Sequence, residues 1–301
     1  MKKTLYLPTM GALAMIIVLA FPACNEKAKA ANAPVTDTAS CPRLISLDGA
    51  ITEVLFELGH GACLAGVDMT STYPGESLKN VAHLGHVSRL NAEALLQLKP
   101  ELILATEAEK GNPVLRQLQN AGIECLFLKK PYTWEAPRQM AAAISERLGE
   151  KLKLIVLKAE MEADRESLEK VLAQATGKPR VLFIYARGKG NLMVAGRNTA
   201  AEAIIHLAGG QNALTDFEDF RALSTEGLIQ AQPDAILMFS SGLQSLDGVD
   251  GLLEIPGIAQ TPAGKKKNII VMEGQYLLGF GPRCLQAARE LAIKIHGLES
   301  I

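Results

Sequence analysis

Aromatic residues are scarce in this 301-residue chain: eight Phe, five Tyr and one Trp, 5% together. Each Tyr and the lone Trp therefore call for individual inspection. Charge of one sign is also lacking. The net charge is −1, from 31 basic and 32 acidic residues, without the basic surplus of a nucleic-acid binder. No apolar run reaches the roughly 18 residues of a membrane span. There is no GxSxG elbow, no Walker A loop, no GxGxxG after a strand and no CxxC pair. The usual sequence supports for hydrolase, phosphate-loop, dinucleotide and structural-zinc chemistry are therefore missing. Gly188-Lys189-Gly190 and Gly279-Phe280-Gly281 are too short to cradle a phosphate. Of the five histidines only His83 and His86 are close, and an isolated HxxH is weak evidence of a metal. With no acid–base constellation either, the sequence does not read as an enzyme. What is there is an apolar, globular composition, 48% hydrophobic and 21% charged, of a length that suits about two domains.

The N-terminus reads as a targeting segment. Lys2 and Lys3 precede a short apolar run from Gly11 to Ala23, with small residues after it, the pattern of a secretory signal over residues 1–23. Two cleavage readings stay open. Ala23-Cys24 resembles the end of a lipobox, which would place a lipid on Cys24; Phe21 departs from the usual Leu. The other reading cuts after Ala28-Lys29-Ala30 or Ala31-Asn32-Ala33. Both export the chain to the periplasm, and residues 24–40 suit a flexible tether. In an oxidising compartment Cys41 and Cys63, each just before an expected strand, are disulfide candidates. The plainer reading makes all four remaining cysteines small buried apolar residues.

Strand-like runs alternate with helical patterns through the rest of the chain. Strands are expected at 43–47, 64–67, 102–105, 126–128, 180–185, 235–239 and 269–272. This alternation argues for parallel α/β sheets that bind ligands at the strand C-terminal ends. An internal repeat points to two lobes. Residues 90–104 (LNAEALLQLKPELIL) and 223–237 (LSTEGLIQAQPDAIL) share seven of fifteen positions at a constant offset of 133, that is 223 minus 90. In each copy a short helix, capped by Asn91 or Ser224, ends before Pro and feeds a buried strand. Between the copies, 149–176 lacks Pro and internal Gly and carries Leu154, Leu157, Met161, Leu168, Val171 and Ala175 at helical spacing. The expectation is an N-terminal lobe over 41–148, a connecting helix over 149–177 and a C-terminal lobe over 178–301. A single stiff connector restricts hinge motion, so the inter-lobe cleft should be largely preformed.

Asp68-Met-Thr-Ser-Thr-Tyr-Pro74 follows the second expected strand, where such a cleft opens. A tyrosine phenolate is a hard donor suited to ferric iron, and Tyr is an established axial ligand of haem; Tyr73 packed against its own loop is the plainer alternative. Several stretches then resemble a known family: SLDGAITEVLFELG at 46–59, DMTSTYP at 68–74, LGHVSRLNAEALLQLKP at 84–100, LMVAGRNTAAEAI at 192–204 and LLGFGPR at 277–283. Over roughly residues 42–298 the chain is similar to HmuT-like haemin-binding proteins of bacterial haem ABC importers. These belong to the long-helix class that also serves vitamin B12 and siderophores. The resemblance implies a class III periplasmic binding protein, with two similar Rossmann-like lobes joined by one long helix and the ligand in the inter-lobe cleft. It implies ferric haem b as the transported ligand, Tyr73 as its axial ligand, and a monomer that hands haem to an inner-membrane permease dimer. Arg89, Arg187, Arg197 and Arg283 are the candidate cations for the phenolate and the haem propionates. His86 stands where the family often has Tyr and is a candidate for the second haem face, while Met193 and Tyr276 would add apolar wall. Glu93 and Glu226, the acids of the repeat, would dock onto permease arginines. A ferric siderophore or vitamin B12 is the alternative ligand on the same fold.

Overall fold

The computed structural model describes residues 41–299. The expected signal peptide, Cys24 and the tether 24–40 lie outside the described residues.

Five strands form the first sheet: β1 (Leu44–Ser46), β2 (Leu64–Val67), β3 (Ala82–His83), β4 (Leu102–Thr106) and β5 (Glu124–Leu128). Their order is β3-β2-β1-β4-β5 and every pairing is parallel. The order reverses between β1 and β4, so a crevice opens at the C-terminal ends of the central strands. The turn after β1 is fixed by Asp48, whose carboxylate accepts the Ala50 and Ile51 N–H groups and caps the helix Gly49–Glu57. Cys41 and Cys63 form a disulfide at the opposite end of the sheet, with Cα atoms 5.4 Å apart.

The second sheet comprises β6 (Arg180–Ala186), β7 (Leu192–Ala195), β8 (Gln211–Asn212), β9 (Phe220–Ala222), β10 (Ala235–Phe239) and β11 (Ile269–Met272). Its main order is β11-β10-β6-β7-β9, with β8 beside the start of β6. β6, β10 and β11 are parallel, whereas β7 runs back along β6 and β9 back along β7. The second lobe is thus a mixed sheet. A tight reversal with left-handed Gly188 (φ 82°) sends the chain back instead of into a helical crossover.

The repeat is visible in the backbone. Asn91 Oδ1 accepts from Ala94 N–H at 3.0 Å and Ser224 Oγ from Gly227 N–H at 3.1 Å, capping the helices Ala92–Gln97 and Thr225–Ala231. Each helix is followed by a left-handed residue, Lys99 (φ 48°) or Gln232 (φ 40°). These residues precede Pro100 and Pro233, which exclude the right-handed helical region before them. The buried strands β4 and β10 follow.

The linking helix spans Lys151–Leu172 rather than the expected 149–177. Gly149, left-handed at φ 90°, terminates the preceding helix Ala136–Leu148 and separates the two. Leu157 and Met161 of the linking helix pack into the first lobe's core, and Leu168 and Val171 into the second's. One rigid rod therefore belongs to both cores. Trp134, in the chain leaving β5, packs against the core of the second lobe.

Candidate ligand cleft

The two lobes are pinned together by side chains. Gln275 is 8% exposed. Its Oε1 accepts the Thr72 and Tyr73 N–H groups at 2.6 and 2.8 Å, and its Nε2 donates to Gly49 O at 2.7 Å. Beside it Glu53, 2% exposed, accepts from Arg283 Nε (2.9 Å), Arg283 Nη2 (3.1 Å) and Arg283 N–H (3.0 Å). Burial works against the guanidinium's charge, but the Glu53 hydrogen bonds and charge offset it, and the Arg283 pKa is raised. Gly281 leaves room for this pair; a Cβ there would lie 3.1 Å from Glu53 Oε2. The loop 68–74 is shaped by Asp68, which accepts from Thr70 N–H and from the Thr70 and Ser71 hydroxyls. Burial still holds the Asp68 carboxyl above its usual range.

Above this clasp lies a cavity of about 400 Å³ at the C-terminal ends of the strands, lined from the first lobe by Asp48, Met69, Thr70 and Lys130 and from the second by Tyr185, Phe239 and Leu278. It shares Asp48 and Lys130 with a second cavity of about 540 Å³ that adds Glu107, Lys129 and Tyr132. Tyr185, next to last in β6, meets Phe239 edge to face at 6.0 Å. The Arg187 guanidinium lies 5.3 Å from the Tyr185 ring centre. Lys130 is held by Asp48 at 2.6 Å. Together these walls suit a large apolar ligand with acidic groups and an oxygen-seeking metal.

The expected residues distribute unevenly around this cleft. Tyr73 is 37% exposed and lines a lateral recess of about 260 Å³ with Thr72, Glu273, Tyr276 and Arg283. The Arg283 guanidinium covers its ring, 3.5 Å from the centre. Arg283 is therefore committed to Glu53 and Tyr73 and leaves the set of free cleft cations. Tyr276 belongs to the recess, not to the central wall, and its phenol pKa is pushed up to about 12 by burial and the nearby Glu290. Met193 stands opposite Tyr185 in the β6–β7 pairing, close to the cleft. Arg197 does not face the cleft. Antiparallel β7 carries the chain away from the cleft end, and Arg197 pairs there with Glu218 at 3.5 Å. Arg89 is exposed in the turn Val87–Arg89 on the first lobe's lip. His86 opens that turn and is exposed next to Gly85, whose carbonyl accepts the Met69 N–H at 2.9 Å. Its Nδ1 lies 3.1 Å from Ser88 N and 2.7 Å from Ser88 Oγ. Nδ1 accepts the Ser88 N–H, so in the neutral ring the proton sits on Nε2 and the side chain caps the turn. Among the described residues no cluster of three or more His, Cys, Asp or Glu could hold a metal ion. Glu93 and Glu226 are exposed in the first turns of their helices, one in each lobe. Sequence reasoning missed Tyr185, Phe239, Lys129, Lys130, Gln275 and Glu53; the position of Tyr185 and of the lysines just at strand C-terminal ends was the available signal.

A family model described as periplasmic binding protein matches residues 44–276. The chain belongs to that family. Within it, the chain is a substrate-binding protein of an ABC transporter, with a permease as partner, and the solved relatives are of the same type. Periplasmic binding proteins of this kind transport ligands and are not enzymes. The periplasmic heme-binding protein RhuT from Roseiflexus sp. RS-1 is 41% identical with a TM-score of 0.81, covering 85% of this chain and 98% of RhuT. An uncharacterized ABC transporter substrate-binding lipoprotein, YvrC of Bacillus subtilis, is 25% identical over 89% of this chain and 84% of its own length. A cobalamin-binding protein of Halobacterium salinarum is 26% identical over 89% of this chain and 73% of its own length. The HmuT-like resemblance and the class III two-lobed fold read from the sequence therefore hold for this periplasmic binding protein.

Proposed function

We propose that this periplasmic binding protein carries ferric haem in the cell envelope and delivers it to its permease. The observation that carries the reading is the central cavity wall. A phenol backed by a guanidinium, Tyr185 with Arg187, stands among Phe239, Met69 and Leu278, with Lys129 and Lys130 along the connected cavity. Ferric iron stabilises a phenolate, the aromatic and aliphatic wall buries the porphyrin, and the cations pair with propionates. A cobalamin offers neither a free phenolate-seeking ferric centre nor two flexible carboxylates. Heme binding by RhuT supports the same choice, at higher identity than the cobalamin-binding relative.

Tyr73 is the first candidate axial ligand: its recess adjoins the central cavity through the shared Thr72 and Glu273, and Tyr185, in the wall of that cavity, is the second candidate. The Arg283 guanidinium lies 3.5 Å from the centre of the Tyr73 ring, a cation against the ring that would hold the iron. His86, on the first lobe's lip, is the candidate for the other haem face. Glu93 and Glu226 are the docking acids, and Cys24 is the candidate anchor to the membrane. Haemin titration followed by absorbance tests the assignment. Tyr73→Phe removes the ferric phenolate charge-transfer band, Tyr185→Phe retains it, and His86→Ala shifts the Soret band. The reverse outcome for the two tyrosines moves the iron to Tyr185. Wild-type protein that binds aquocobalamin or a ferric siderophore and leaves haemin unbound overturns the haem reading.

A further inference from the structure

We propose that each lobe meets the permease through a duplicated three-residue face, Glu93–Leu96–Gln97 on the first lobe and Glu226–Ile229–Gln230 on the second. In that face the aliphatic side chain is a contact in its own right. The inference rests on the docking reading of Glu93 and Glu226 and extends it.

The two faces are related by the offset of the repeat: 226 minus 93, 229 minus 96 and 230 minus 97 all give 133. They occupy equivalent helices, Ala92–Gln97 and Thr225–Ala231, with equivalent caps and equivalent left-handed exits. Burial follows the same template. Leu95 and Leu228 point inward and are each 1% exposed, whereas Leu96 and Ile229 are 39% and 53% exposed. Glu93, Gln97, Glu226 and Gln230 are exposed as well. A single exposed aliphatic residue needs no explanation. Here the second copy breaks that indifference: the seven identities of the repeat include Glu and Gln, and the aliphatic position is kept as Leu or Ile on a face that the lobe core does not use. Among the described residues neither Glu93 nor Glu226 takes part in a salt bridge, so both carboxylates are available.

The chemistry of the occupant follows. An i, i+3, i+4 spacing places acid, aliphatic and amide groups on one strip of helix surface. A partner that fits presents a basic side chain to the acid, an apolar recess to the aliphatic residue and a polar group to the amide. It presents them twice, related by an approximate two-fold axis, because the strip occurs once per lobe. A membrane permease built from two equivalent subunits has that symmetry. Charge steers the encounter, and the buried aliphatic contact slows departure.

The test uses the full carrier and the purified permease–ATPase complex in lipid nanodiscs, with affinity measured across a salt series. Leu96→Ser and Ile229→Ser each weaken binding about tenfold, as truncated interface anchors do. The pair weakens it about a hundredfold, since the sites are well separated, and the salt dependence stays that of the wild type. Glu93→Gln with Glu226→Gln weakens binding and flattens the salt dependence. Melting temperature and haemin titration of the aliphatic variants stay unchanged, which excludes misfolding. Wild-type affinity in the aliphatic pair, with loss only in the acid pair, overturns the inference and leaves acid docking intact. No loss in either pair overturns the docking reading itself. Loss confined to one lobe overturns the two-fold match. An effect on self-association of the carrier, and not on the permease, assigns the face to a second copy and also overturns the inference.

Discussion

Glu53→Gln is the most informative single perturbation of the joint between the lobes. The carboxylate is 2% exposed and holds the Arg283 side chain, itself 20% exposed, through two guanidinium hydrogen bonds and one backbone N–H. The amide is nearly isosteric, so no cavity forms. It cannot neutralise Arg283, which stays largely buried against Tyr73. Removing one partner of a buried ion pair costs about 3–5 kcal/mol. The residual access of Arg283 to water points to the lower end, about 3 kcal/mol. At this size each kcal/mol moves the melting temperature by about 2–4 °C, so a fall of about 6–12 °C is expected. Calorimetry or circular dichroism at pH 7 measures it. The double variant Glu53→Gln/Arg283→Gln should recover part of the loss, because no unpaired charge remains buried. A single variant within about 0.5 kcal/mol of the wild type, or a double variant as costly as the two singles combined, would refute the reasoning.

Three other outcomes are expected. Reducing Cys41–Cys63, or replacing both by Ser, opens a covalent loop of 22 residues and should lower unfolding stability by about 3 kcal/mol in urea titration. Burial holds His60 below its ordinary pKa of 6.5. The unfolded chain therefore takes up the proton first as pH falls, and stability drops below roughly pH 6.5; a His60→Gln variant should show a flatter pH profile in the same window. Burial pushes Cys125 up to about 11 and Cys284 up to about 12, so both should resist iodoacetamide at pH 8 in the folded protein and react in urea, as mass spectrometry would show.

Much of the architecture was legible because it is written locally. The strands β1, β2, β4, β10 and β11 are buried apolar runs with turn residues at their ends, and the repeat announced a second lobe of related build. The hairpin β6–β7 was not legible. A four-residue strand with mixed burial looks like loop, and its direction depends on the five residues Arg187–Asn191, whose reversal rests on one glycine. The linking helix was overextended because Gly149 and Thr176 lie at its margins, where periodicity says little about where hydrogen bonding stops. The site was less legible than the fold. Gln275 and Arg283 find their partners 202 to 230 residues away in sequence, and nothing near Glu53 in the chain marks it as a partner for a distant guanidinium. Tyr185 reads as an ordinary apolar strand residue until the second lobe places its ring over a cavity.

The placement of Trp134 has a practical consequence. The chain contains one tryptophan, its indole rests against the core of the lobe that follows it in sequence, and the Arg138 guanidinium lies 5.3 Å from its ring centre. Intrinsic emission is therefore a gauge seated at the joint, read without any label. A red shift during permease encounter would register water reaching that seam, and quenching during haemin titration would register energy transfer to the bound pigment, so docking and loading can be timed separately in one cuvette.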